Sequence, residues 1–398
     1  MSKMKEILGL GKRLLKNFVC SFFPMKDEII LESHPDLACN TYELFRYMLS
    51  QSLNDRFQIT WLVNNPDLYN DYDVHNVGFL SIMPKTKKDK MIKYFRCNRA
   101  KVLITCNRYY QKELTSKKQL NIYILHGSPV KNFPDLAKPL NCDFLISQAD
   151  FFNQYIVEKF SVKPEQVVAT GFPRNDQMFR NNDNLNKIYP DINSFAKVIA
   201  WVPTFRKHMN KIRIDCDYDF PLGIPILYSE EDVRKLNDFL VEKNVLIIYK
   251  PHPAQDLSIL KDMHASNLRF LYNSQLAEND IQTNEFLSQT DAMVGDYSGI
   301  YYDYLLLDRP IGITLDDYTS YESQSGMVFG LNSDILIGEN IYTLEDLERF
   351  IDDVVNGKDR MYKEREKIKL LTNKHIGIGA SEELYSFIME EYKKRFKA

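Results

Sequence analysis

The chain has 398 residues, with 51 Lys and Arg against 54 Asp and Glu and a formal net charge of -3. That length suits two domains of roughly 150–200 residues each, and the near-neutral balance excludes a molecule built to hold nucleic acid by bulk charge. No apolar run reaches the length of about 18 residues that a transmembrane helix needs, and the six scattered cysteines form no C-x-x-C pair, which speaks for a reduced, cytoplasmic setting and against a zinc knuckle or a disulfide framework.

The opening segment places Met4, Ile7, Leu8, Leu15, Phe18, Val19 and Phe22 on one side of a helical wheel and Lys5, Lys12, Arg13 and Lys16 on the other. A helix of this kind, spanning residues 1–24, either lies on an anionic membrane surface or packs on the protein's own surface with its lysines solvated. No A-x-A-like cleavage site follows it, so no signal peptide is expected.

Short apolar, β-branched runs then alternate with longer helical patterns: EIILES, FQITWLV, KVLIT, NIYIL, DFLIS, KVIAWV, VLIIYK and DAMVG read as strands. Near-continuous apolar strands separated by helices predict an α/β protein with two parallel sheets, covered on both faces. The Asn- and Asp-rich stretch 180–195 is the expected hinge between them. The closing SEELYSFIMEEYKKRF reads as an amphipathic helix capped by Ser381.

Ligands of open parallel sheets bind beyond the carboxyl ends of the strands, so polar residues at strand exits carry the functional signal. Five exits stand out. In ILHGSPVK, His126 is either a general base, with Gly127, Ser128 and Lys131 around the acceptor, or a ring satisfied by a loop carbonyl. In TGFPRND, Arg174 can clamp a phosphate, while Asp176 suits a helix cap. In WVPTFR, Thr204 and Arg206 suit a phosphate oxygen, although Arg206 serves equally in a salt bridge. In YKPHP, two prolines stiffen the loop carrying His252, and Lys250 is a phosphate contact or a structural residue. In GDYSGIYYDY, Ser298 opens a helix whose free N–H groups favour an anion; Asp296 and Asp303 are caps, acceptors for ligand hydroxyls or, for Asp303, surface groups. Together these residues suit transfer from a phosphorylated donor. No H-E-x-x-H-type spacing accompanies the histidines, and no metal is expected.

The ordered motifs LHGSPVKNF, TGFPRND, WVPTFR, YKPHP and GDYSGIYYDYLLLDRPIGI resemble those of the CDP-glycerol glycerophosphotransferase family, the teichoic-acid primases and polymerases. Weaker similarity covers SHPDLACNTYELFRYML, NRAKVLIT and ASEELYSFI. The resemblance implies a GT-B-like fold, two Rossmann-like domains facing each other across a cleft, with the C-terminal helix crossing back to the N-terminal domain. On that scheme residues 25–190, completed by 380–398, form the acceptor domain and residues 191–379 the nucleotide-donor domain. It implies a CDP-glycerol or CDP-ribitol donor, a lipid-linked or polymeric acceptor, no obligatory cofactor, and peripheral attachment to the inner face of the cell membrane. By the same resemblance His126 is the base and His252 the imidazole on the donor phosphate; Thr204, Arg206 and Ser298 contact that phosphate, and Asp296 and Asp303 lie nearer the donor's hydroxyls.

Family members usually carry an Arg-Gly pair after the DYS helix, where this chain has Ser325-Gly326. That departure bears on which donor or polyol is used. The chain has the length of one catalytic unit, as expected of a primase-like enzyme or a transferase building capsule or another surface polymer. The basic run 85–99 is either a guide for an anionic acceptor or lipid headgroup or a solvated helix face. Two other readings are a GT-B glycosyltransferase using a nucleotide sugar and a non-catalytic membrane-surface binding protein; fold alone does not separate them.

Overall fold

The computed structural model describes residues 19–20, 22–106, 118–130, 140–206, 216, 218, 220–252, 265–328 and 335–396. Most of the opening basic segment lies outside them, as does Lys131. The chain divides into two compact units, one drawn from residues 1–126, 137–176 and 378–398, the other from 127–136 and 177–377.

Among the described residues the first unit has seven strands: β1 (Lys26–Glu32), β2 (Gln58–Val63), β3 (Val77–Ser81), β4 (Ala100–Thr105), β5 (Leu120–Ile124), β6 (Phe144–Ser147) and β7 (Val167–Ala169). They form one all-parallel sheet in the order β3-β2-β1-β4-β5-β6-β7. Ile29, Ile30 and Leu31 of β1 and Ile122 and Ile124 of β5 are all buried, as a strand covered on both faces requires. The order reverses between β1 and β4, which makes the exits of these two strands the switch point of the sheet.

The second unit repeats the plan, with six strands among its described residues: β8 (Lys197–Trp201), β9 (Val245–Tyr249), β10 (Leu268–Phe270), β11 (Ala292–Gly295), β12 (Ile311–Thr314) and β13 (Glu339–Ile341). Their order is β10-β9-β8-β11-β12-β13, again parallel throughout, with the switch between β8 and β11. Trp201, Ile247 and Val294 pack with Leu236 and Leu240 of the helix Glu230–Lys243 and with Phe350 and Ile351 of the helix Leu344–Val355. The fold is thus the two-unit α/β arrangement expected. The segments between strands are more varied than a uniform helical reading allows: Pro173–Phe179, Asn184–Lys187 and Ile192–Ser194 are 3-10 turns.

The helix Ala380–Phe396 belongs to the first unit, where Arg395 makes a bidentate pair with Asp143 at 2.8 and 3.0 Å and Phe387 meets Phe144 edge-on. Its cap is not Ser381, which lies buried in the first turn. Asp176 accepts from the backbone N–H groups of Gly379, Ala380 and Ser381 at 3.0, 3.0 and 2.9 Å, satisfying three donors that a helix start leaves open. The first unit's central segment ends at this residue. The stretch 180–195 expected as the hinge is part of the second unit, where Asn182 donates to Ser288 and Leu185 N–H to Gln289. Asp176→Ala should cost about 1–3 kcal/mol of stability, because a buried cap leaves its donors unpaired; denaturant unfolding followed by circular dichroism measures it, and an unchanged midpoint would refute the cap.

Candidate active site

In the first unit the end of β5 delivers His126 with an exposed side chain, while everything that holds its backbone is buried. Asn40 Nδ2 donates to the Leu125 carbonyl at 2.9 Å, and Asn40 Oδ1 accepts from Arg174 N–H at 3.2 Å. The Arg174 guanidinium, nearly out of solvent and above the ring of Phe172, donates to the His126 carbonyl oxygen and, at 3.2 Å, to Cys39 Sγ. Gly171, at φ 76°, makes the turn that sends Arg174 inward. Arg174 is therefore a buried brace for the histidine loop, where the sequence offered it as a phosphate clamp.

The same cluster contains a residue that motif reading missed. Cys39 opens the helix Cys39–Ser50 just past β1, and its Sγ lies 3.9 Å from His126 Nδ1. Burial alone would raise its thiol, but the charges of Arg174 and His126 outweigh it and bring the thiol down to about 6. The one available signal was its place at a strand exit.

In the second unit the exits of β8, β11 and β12 converge on one buried ion group. Asp296 accepts from the Thr204 N–H at 2.9 and 3.0 Å and from Thr204 Oγ1 at 3.0 Å. Arg206 Nη1 donates to Asp296 at 2.9 Å, and its Nε and Nη2 donate to the two oxygens of Asp317. Tyr297 O–H also donates to Asp317, at 3.1 Å, and Arg206 lies over the rings of Tyr297 and Tyr321. Only 3% of Arg206 is exposed. Burial opposes its charge, yet the two carboxylates hold it well above the usual range. The salt-bridge alternative for Arg206 is thus the one this geometry displays, and its guanidinium, like Thr204 and Asp296, is engaged within the protein. Asp317, the second carboxylate, follows a strand that the apolar pattern did not reveal.

Lys250 is different. It is buried at the exit of β9, where its Nζ donates to Asn273 Oδ1 at 2.7 Å, and no carboxylate pairs with it among the described residues. Burial pushes its ammonium down to about 8, so an anion placed beside it would gain a charge partner. His252, two residues on, is exposed with its ring 4.6 Å from that of Phe205. Ser298 is half-buried, its Oγ accepting from Ile300 N–H at 3.4 Å. The helix after it covers only Ile300–Tyr304, so the dipole expected to favour an anion there is that of little more than one turn. Asp303 is wholly buried and faces no solvent.

Gly127 is half-buried and Ser128 buried, and both cluster with the second unit. A Cβ on Gly299 would come within 2.6 Å of the Ser128 carbonyl oxygen, so glycine is required where this loop meets the turn after β11. Among the described residues no group of three His, Cys, Asp or Glu side chains is arranged to hold a metal ion, and no helix is long and apolar enough to cross a membrane.

Arg206→Leu should cost about 3–5 kcal/mol, since it leaves two buried carboxylates without their cation. Unfolding in denaturant checks this; a residue serving only as a phosphate contact would leave stability within about 0.5 kcal/mol of the parent.

The chain is 23% identical over 320 residues to a teichoic acid poly(glycerol phosphate) polymerase of Bacillus spizizenii, covering 74% of this chain and 75% of that protein. It is 23% identical over 312 residues to a teichoic acid glycerol-phosphate primase of Bacillus subtilis, covering 77% and 70%. The structure of the wall teichoic acid polymerase TagF superposes with a TM-score of 0.70 at 20% identity, over 99% of this chain and 97% of that one, and shows the shared GT-B-like fold. A putative UDP-N-acetylglucosamine 2-epimerase from Listeria monocytogenes shares the fold more distantly, with a TM-score of 0.55 at 13% identity over 93% and 97% of the two chains. The sequence model of the CDP-Glycerol:Poly(glycerophosphate) glycerophosphotransferase family matches residues 15–390, and the chain belongs to that family.

Proposed function

We propose that this protein transfers glycerol phosphate or ribitol phosphate from a CDP-activated donor to an acceptor hydroxyl in the synthesis of teichoic acid or a capsule-type surface polymer, releasing CMP. The observation that carries the reading is His126: an exposed imidazole at a strand exit, on a backbone held by buried hydrogen bonds from Asn40 and Arg174, in a chain of this family. A rigid mount with an open ring is what a general base needs.

In this mechanism the acceptor hydroxyl gives its proton to His126 while its oxygen attacks the donor's β-phosphorus. The bond from that phosphorus to the bridging oxygen breaks, and the bridging oxygen leaves with CMP. The second unit supplies the donor's phosphate contacts. Lys250 gains a charge partner when the diphosphate binds, and exposed His252 and half-buried Ser298 are assigned to the same group. Thr204, Arg206 and Asp296 contribute by fixing the loops from which those contacts extend. Gly127, Ser128 and Lys131 are assigned to the acceptor side, and Asp303 to the support of its helix.

A panel of CDP-glycerol, CDP-ribitol and nucleotide sugars tests the reading. CMP release is expected from one of the CDP-polyols, lost by about 10²–10⁴-fold in His126→Ala, with a raised donor KM in Lys250→Met. UDP or UMP release from a nucleotide sugar instead, or near-normal turnover of His126→Ala, would refute it.

The protein is further assigned to the inner face of the cell membrane, on its basic opening segment and on the helix Lys87–Arg99. That helix exposes Lys87, Lys88 and Lys90 beside exposed Met91 and Ile92, a pairing of cations and apolar side chains suited to anionic lipid. Of the other cations in the run, Lys93 and Arg96 are used internally, on the Ile82 carbonyl and on Glu28. Co-sedimentation with anionic vesicles, lost with zwitterionic lipid or on removing residues 1–24, is the expected result; equal binding to both lipids would exclude the electrostatic mode.

A further inference from the structure

The cluster around Cys39 does something that the transfer mechanism has not used. We propose that Cys39 is the positioning residue of the His126 base: its sulfur accepts from Nδ1–H and so selects the tautomer whose Nε2 lone pair faces the acceptor hydroxyl. This rests on the assignment of His126 as base.

Four observations converge on it. Cys39 stands at the exit of β1, the switch point of the first sheet, where parallel sheets of this kind place their ligands. Its backbone takes φ 61°, unusual for a residue with a side chain, and its neighbour Asn40 is bonded to both Leu125 and Arg174, so the direction of the sulfur is set by its surroundings. The sulfur lies 3.9 Å from His126 Nδ1 and receives the Arg174 guanidinium at 3.2 Å. Finally, its environment is that of an anion: a helix start, a guanidinium and an imidazole surround it, whereas Cys20, Cys97, Cys106 and Cys142 are all pushed up by burial.

A negatively charged sulfur accepts from Nδ1–H more strongly than a thiol does, and it also stabilises the imidazolium that forms when His126 takes the acceptor's proton. Arg174 then has two tasks, holding the His126 carbonyl and holding the sulfur in its charged form. Among the described residues, the other titratable groups around the pair include Cys106, kept as a thiol by burial and by the charges of Glu32 and Cys39, and His34 with Asp36 on the loop beside His126. Replacing Cys39 removes one of the charges that raise Cys106, while the burial of Cys106 and the charge of Glu32 remain.

Two measurements test the proposal. The first needs no turnover: thiolate absorbance near 240 nm, read as wild type minus Cys39→Ala across a pH titration. A transition near pH 6 is expected, moving up by about one unit or more in a His126→Asn background, because removal of a cation raises a thiol. A transition at the ordinary thiol value of about 8.5, or one indifferent to His126, would overturn the pairing.

The second is the pH–rate profile of CMP release. Cys39→Ala should lose about 10² in kcat with an unchanged donor KM and unfolding midpoint. Cys39→Asp, whose carboxylate can also accept from Nδ1–H beside Arg174, should recover most of it. Full activity of Cys39→Ala, or equal losses in both variants with the pH limbs unmoved, would overturn it. Should no CDP-polyol be turned over by the wild type, the function proposed above falls, while the titration still decides whether Cys39 and His126 form the pair.

Discussion

The strand-exit loops of the second unit are tied together by the buried guanidinium of Arg206. Arg206 draws the exit of β8 to Asp296 after β11 and Asp317 after β12, so three loops that leave the sheet separately end in one ion group. Burying such charges is expensive, and the arrangement is tolerable only because nearly every lone pair and proton within it has a partner, including those of Thr204 and Tyr297. The result is a stiff rim at the switch point of the sheet. Among the described residues Lys250 pairs with no carboxylate, which leaves its charge available to a ligand.

The first unit solves a similar problem with fewer charges. Arg174 is also buried and also turned inward, but it donates to a carbonyl oxygen and a sulfur. Both arginines therefore act on the loops that carry chemistry, and neither presents its fork to solvent. Arginine suits this use because its planar donors fix the angles between the groups they bind, which a lysine ammonium does not.

How much of this was legible in the sequence follows from the range of each interaction. Strands such as β1, β5, β8 and β9 are largely buried and carry short runs of apolar residues. By contrast β3 is half-buried along its whole length, and β7, β10 and β13 have three residues each, too few for a pattern. The interior strand β12 was hidden by the proline before it and the glycine within it. In the site, His126 could be singled out because its signal is local: a histidine, a glycine and a small hydroxyl residue directly after a strand. The roles of Arg174 and Arg206 could not, since a cation's letter is the same whether it faces phosphate or carboxylate. Asp317 lies 111 positions from Arg206, and Cys39 lies 87 positions from the histidine it touches. Only the fold brings them together.

Those short marginal strands have a consequence for handling the protein. A sheet edge offers unpaired N–H and C=O groups to any extended chain that meets it, and long exposed edges template aggregation. Among the described residues three of the four edges present only three residues, and β10 carries Arg269, held by Asp191, in its middle. With so little backbone to copy and a charge placed within it, two large parallel sheets can coexist in one chain without inviting further strands to join.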